Sequence, residues 1–137
     1  MHNQEQFEEI RQTISQPLTT LCRIINDWAT KKGWNEDPLE GITMPSPIYD
    51  RIQLAFKAEQ LALIHSEVSE ALEYLRNKDQ PAMDDKVPQL TGEEAELADV
   101  LIRIFHYCGK RGIDLGEAVR LKHLYNITRP YRHGKNC

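Results

Sequence analysis

Four carboxylates stand where a helix would otherwise be apolar. Glu67 and Glu70 interrupt the run IQLAFKAEQLALIHSEVSEALEYLR, and Glu96 and Asp99 interrupt EEAELADVLIRIFHYCGKRG. A three-residue step on a helix turns about 300°, so the members of each pair project from one face, one above the other. A carboxylate on the border of an apolar stripe costs several kcal/mol unless a positive charge meets it. Two such pairs on opposed helices would make an all-oxygen cage for a hard divalent cation. Taken singly, either pair also reads as an ordinary solvated face, because charged residues make up 28% of the chain and Glu-x-x-Glu arises readily in such a composition.

The flanking residues supply the elements. Around the first pair, Leu54, Ala58, Leu61, Ile64, Val68, Ala71, Leu72 and Leu75 recur at threes and fours, the period of a helix. Around the second, Leu97, Val100, Leu101, Ile104, Phe105 and Cys108 repeat likewise, and Gly109 and Gly112 offer stops. Ile102 and Tyr107 lie off that stripe, which predicts a helix buried from several directions, in a bundle or at a subunit contact. Upstream, Phe7, Ile10, Ile14, Leu18, Leu21, Cys22, Ile25 and Trp28 form a helical stripe interrupted near Pro17 and ended by Gly33.

The segment WNEDPLEGITMPSP, Trp34 to Pro47, reads as a loop whose Ser46-Pro47 opens the next helix. NKDQPAMDDKVPQLTG, Asn77 to Gly92, is a second loop, a lid or a connector, and Thr91 or Gly92 followed by Glu94 marks a helix start. A last helix, from about Asp114 to Ile127, carries Leu115, Ala118, Val119, Leu121, Leu124 and Tyr125, and Pro130 closes it. No window alternates like a strand. The expectation is therefore a single all-α domain of 137 residues, a four-helix bundle without internal repeats.

The net charge of −4 argues against a general nucleic-acid binder or a membrane-surface protein. Its distribution is uneven: from Lys110 onward, Lys110, Arg111, Arg120, Lys122, Arg129, Arg132 and Lys135 face only Asp114 and Glu117. Folding the last helix onto the central two would set these cations beside the acids. Cys22, Cys108 and Cys137 are odd in number and lack C-x-x-C spacing, so neither a disulfide framework nor a zinc site is indicated, and a reducing cytoplasm is expected. The opening MHNQEQFEEIRQ does not read as a signal peptide, and no apolar run approaches the ~20 residues needed to span a bilayer.

Lys122, Asn126 and Arg129 step by four and three along one helical face, a row suited to a phosphate chain or, equally, a solvated basic face near a helix C-terminus. Trp34 stands at the head of a loop, where it can stack on a base or pack; Trp28 reads more readily as core. Asn35 and the loop to Met44 would complete a pocket. A ferritin-like di-iron site needs Glu three residues before His, but Ala62, Arg103 and Arg120 precede His65, His106 and His123, so that alternative fails. His65 and His106 read as packed or half-exposed residues without a role, and Lys57 and Glu73 as surface residues. The tail RPYRHGK would either contact nucleic acid through Tyr131, Arg132 and Lys135 or close over a bound triphosphate.

Taken in order, Glu67-x-x-Glu70, a long gap, Glu96-x-x-Asp99 and then Lys122, Asn126 and Arg129 resemble the MazG-like all-α nucleoside triphosphate pyrophosphohydrolases. The similarity runs from about Leu18 onward and includes WATKKGW and the closing KHLYNITRPYRHGK. The resemblance implies a four-helix core assembled as a homodimer or homotetramer. It implies Mg2+ held by Glu67, Glu70, Glu96 and Asp99, with Lys122, Asn126 and Arg129 meeting the phosphates. It also implies cleavage between the α and β phosphates of a nucleoside or deoxynucleoside triphosphate, in nucleotide-pool cleaning. Glu70 is the carboxylate chosen to orient or deprotonate the attacking water. The competing expectations are a non-catalytic helical oligomer that binds nucleotide or a protein partner, and a nucleic-acid module that uses the basic tail.

Overall fold

The apolar periodicities become four α-helices in a computed structural model that describes Glu5, residues 8–77, Asp79 and residues 81–130. A π-helical segment, Arg11–Ser15, leads directly into α1 (Gln16–Lys31), followed by α2 (Ser46–Arg76), α3 (Gly92–Arg111) and α4 (Leu115–Ile127). No strand occurs among the described residues, only an isolated bridge between Met83 and Thr91. Phe7 lies outside the described residues.

The expected interruption at Pro17 does not occur. Proline lacks a backbone N–H and its ring crowds the carbonyl four residues back, so an α-turn through Arg11–Ser15 would clash. The wider π-turn there lets the helix run on without a break. Helix α3 begins at a capping box, in which the Thr91 hydroxyl accepts from the Glu94 N–H at 3.2 Å and the Glu94 carboxylate accepts from the Thr91 N–H at 2.8 Å. That bond from the Thr91 N–H holds the Glu94 carboxyl below its ordinary pKa. Gly112, at φ 64°, caps the other end of α3 in the left-handed region.

Gly109 is not a stop but a point of close approach. A Cβ there would stand 2.4 Å from the Cys22 carbonyl oxygen, so this glycine lets α3 cross tightly over α1. Gly116 does the same for α4, where a Cβ would come within 2.2 Å of the Ser15 carbonyl oxygen. That contact explains why the last helix settles against Arg11–Ser15 and α1 and not, as its charge suggested, across the central two helices. Backbone proximity at a small residue decides the docking more than long-range charge.

The pairs Gln60–Arg111, Glu67–Arg103 and Tyr74–Gly92 meet in opposite order along α2 and α3, so these two helices are antiparallel. Cys22, Phe105 and Cys108 form the buried centre between α1 and α3, with Leu18, Ile25, Ile104, Tyr107 and Leu115 around it. Both thiols are free, and burial pushes each above the ordinary thiol range. This core is small. On α3, Leu97, Leu101 and Ile102 remain 48%, 52% and 40% exposed, so within one chain this helix is not buried from the several directions that its pattern predicted for a bundle or a subunit contact. No described helix is long and apolar enough to cross a membrane.

Candidate metal centre and adjoining cavity

The antiparallel crossing of α2 and α3 brings three of the four singled-out carboxylates together. One oxygen from each of Glu67, Glu70 and Glu96 lies within 4.8 Å of the other two. Glu67 is buried, Glu96 half-buried and Glu70 exposed. Asp99 is exposed and stays outside this group of three oxygens, but its charge is felt at Glu96. Burial, a hydrogen bond with Glu67, and the charges of Glu70, Glu67 and Asp99 together push the Glu96 carboxyl from 4.5 up to about 7. Negative charge is thus concentrated beyond what the neighbourhood neutralises. A group of oxygens without His or Cys suits a hard cation such as Mg2+.

The neighbourhood does supply one cation. Arg103, on α3 seven residues after Glu96, donates through Nε to Oε1 of Glu67 at 2.5 Å. Glu67 is 6% exposed, and a carboxylate that deep needs a partner. In the sequence, Arg103 stands out only as the wrong residue three positions before His106. Its signal was nonetheless present, since an arginine two turns beyond Glu96 falls on nearly the same helical face.

Arg103 also lines a cavity of about 240 Å³ whose walls include Trp28, Trp34, Leu63, His106 and Tyr107. The Trp28 and Trp34 rings stand 5.8 Å apart at 58°, and Trp34 meets His106 edge-on at 6.5 Å. Trp28 is therefore a cavity wall, 46% exposed, and not the core residue its position suggested. It sits near the end of α1, where the chain turns back through Gly33 and brings Trp34 beside it.

Asn35 fixes this turn. Its amide nitrogen donates to Asn26 Oδ1 at 2.9 Å and to Thr30 Oγ1 at 2.7 Å, which leaves its oxygen to accept from His106 Nε2–H at 2.7 Å. Burial, then the charges of Lys110, Arg111 and Arg103, lower the His106 pKa and favour the neutral ring. His106, assigned no role from sequence, thus joins the loop to α3, and its second ring nitrogen makes no hydrogen bond among the described residues.

A second, more polar cavity of about 370 Å³ shares Trp34 and Gln60 and is lined by Asp37, Gln53, Lys110 and Arg111. Asp37 accepts from the Leu39 N–H at 2.9 Å and the Tyr49 hydroxyl at 2.8 Å, bonds that lower its pKa. Arg111 donates to Gln60 Oε1 at 2.5 Å and lies 4.0 Å over the Tyr107 ring. The loop from Asn77 to Gly92 is organised by buried Asp84, which accepts from the N–H groups of Lys86 and Val87.

Lys122 and Asn126 lie exposed on α4, and Arg129, expected to continue their helical row, is exposed two residues past the end of the helix. The Lys122 ammonium sits 5.1 Å from the Tyr125 ring, and no hydrogen bond or ion pair among the described residues links the row to the four carboxylates. Lys57 and Glu73 are exposed, as expected of surface residues, whereas His65, expected to be packed or half-exposed, is exposed as well. Tyr131, Arg132, Lys135 and Cys137 lie outside the described residues. Comparison of the chain with protein families, curated proteins and solved structures gives no match.

Proposed function

We propose that this chain is a magnesium-dependent hydrolase of nucleoside or deoxynucleoside triphosphates, releasing a nucleoside monophosphate and pyrophosphate, as its resemblance to the MazG-like enzymes implies. One observation carries the reading: three carboxylate oxygens within 4.8 Å of one another stand beside a cavity walled by two tryptophans, with Arg103 common to both. The donor set fits Mg2+, which when bound supplies neutralisation of the triphosphate and polarisation of the attacked phosphorus.

In this reading Glu67 and Glu96 are the fixed ligands between α2 and α3, and Asp99 deepens the negative field. Glu70, the exposed member of the three, orients a water and takes its proton as the water oxygen attacks the α-phosphorus and the bond to the pyrophosphate oxygen breaks. Trp34 and Trp28 offer ring faces to the base. Lys122, Asn126 and Arg129 join the site only where an assembly carries α4 of one copy to the carboxylates of another.

Self-association belongs to the same reading. A chain of this size would bury about two thirds of its unfolded surface, yet among the described residues no large side chain is fully buried. The outward leucines of α2 and α3 make a surface suited to a second copy, as homodimer or homotetramer. The two unpaired buried thiols fit a reducing, cytoplasmic setting.

The test is pyrophosphate release from a panel of canonical and damaged triphosphates. Activity that EDTA abolishes and Mg2+ restores is the expected result. No release from any member overturns the proposal, and calorimetric nucleotide binding without turnover would instead favour a non-catalytic binder.

A further inference from the structure

The row on α4 was expected to meet the phosphates, but the cation standing at the site is Arg103. Its guanidinium contacts Glu67 through Nε, while its terminal nitrogens make no hydrogen bond among the described residues. The side chain is 35% exposed and forms part of the cavity wall with Trp34 and His106. One side of the group is therefore committed to a buried carboxylate, and the planar fork that binds phosphate bidentately is left uncommitted.

This arrangement conflicts with a divalent ion. Oε1 of Glu67 holds an N–H that competes with a metal for the charge of this carboxylate, and a dication beside a guanidinium is repelled. A triphosphate reverses the balance by bringing several negative charges of its own. We propose that Arg103 exchanges partners: it neutralises Glu67 while the carboxylates hold no metal, and turns to the phosphate chain when a divalent cation and a nucleoside triphosphate enter together. Rotation of one side chain accomplishes the exchange with α3 fixed, and Glu67 is never left buried without a partner. His106 cannot take the same part, because its burial and then the cations around it favour its neutral form. The exchange rests on the hydrolase reading and adds to it the phosphate-binding group.

The test uses Arg103→Gln and Arg103→Lys in the full chain at pH 8.5, with two readouts. The first is Mg2+ alone, followed by calorimetry. The second is binding of a non-hydrolysable deoxynucleoside triphosphate with saturating Mg2+, together with turnover of a triphosphate the wild type hydrolyses. Arg103→Gln should bind Mg2+ roughly tenfold more tightly, because the competing cation is gone, while triphosphate binding or kcat/KM falls about 100-fold. Arg103→Lys should lie between it and the wild type in both.

Opposite movement of the two readouts is the signature, since a merely structural ion pair would weaken both. Mg2+ affinity that is unchanged or weaker in Arg103→Gln overturns the exchange, as does an unaltered response to triphosphate. If Arg103→Gln does not fold, Arg103→Lys decides: wild-type values in both readouts overturn the exchange. These outcomes leave the hydrolase reading standing when the wild type is active. A wild type that neither binds nor cleaves any triphosphate overturns both, and is recognised without either variant.

Discussion

The acidic residues of α2 and α3 and the basic row of α4 carry similar helical spacing, yet they come to different ends. Glu67, Glu70 and Glu96 converge because two long antiparallel helices face each other along most of α3. Lys122 and Asn126 share a face just as well, with Arg129 two residues past the helix end, but α4 is drawn by Gly116 against Ser15 and its neighbours, and all three are left in solvent. Spacing establishes which side chains share a face. Which faces meet is decided by where backbones can approach.

The comparison is tested most severely at the acids. Glu67→Gln and Glu96→Gln should each lower pyrophosphate release about 10³-fold with helical circular dichroism retained, whereas Asp99→Asn, outside the three-oxygen group, should lose only about tenfold. Equal losses at Asp99 and Glu67 would show that the site closes around four carboxylates. Next in size, Trp34→Ala should raise KM for triphosphate about tenfold with kcat little changed, as expected from removal of a stacking surface. A fall in kcat alone would assign Trp34 to packing.

The double variant Lys122→Ala, Arg129→Ala should cost at most about threefold in kcat/KM if the row stays solvated. A loss near 100-fold would erase the contrast between the two regions, and would mean that α4 of a neighbouring copy completes the site. The smallest effect is thermal. Glu96 binds its proton more tightly folded, at about 7, than at its ordinary 4.5. Its contribution is therefore fully present below about 4.5, is lost as pH rises through about 7, and stays absent above. Metal-free protein should melt a few °C higher at pH 5.5 than at pH 8, Glu96→Gln should narrow that gap, and Mg2+ should close it from the alkaline side.

Much of the scaffold was legible from residues alone. The period of the apolar stripes gave all four helices, Ser46-Pro47 and the Thr91–Glu94 pair gave two of their starts, and the acidic pairs supplied the three carboxylates that converge, with Asp99 left outside them. What escaped was carried by contacts between distant positions. The Glu67–Arg103 pair and the Asn35–His106 bond span 36 and 71 residues, and each depends on how helices cross. The continuity through Pro17 escaped for another reason: proline's rule concerns α-geometry, and a π-turn evades it. Trp28 was assigned to the core from its stripe, but the turn at Gly33 that brings Trp34 beside it cannot be inferred from helical period.

The capping box at the head of α3 has a consequence beyond its own hydrogen bonds. Because Thr91 and Glu94 clasp each other, the first turn cannot slip, and every later residue of the helix inherits its angular phase from that clasp. Glu96 and Arg103 keep their bearing toward α2 only while the number of residues between them and Thr91 is preserved. One residue added after Glu94 would swing both by about 100°, which makes the first turn of α3 intolerant of a change of length.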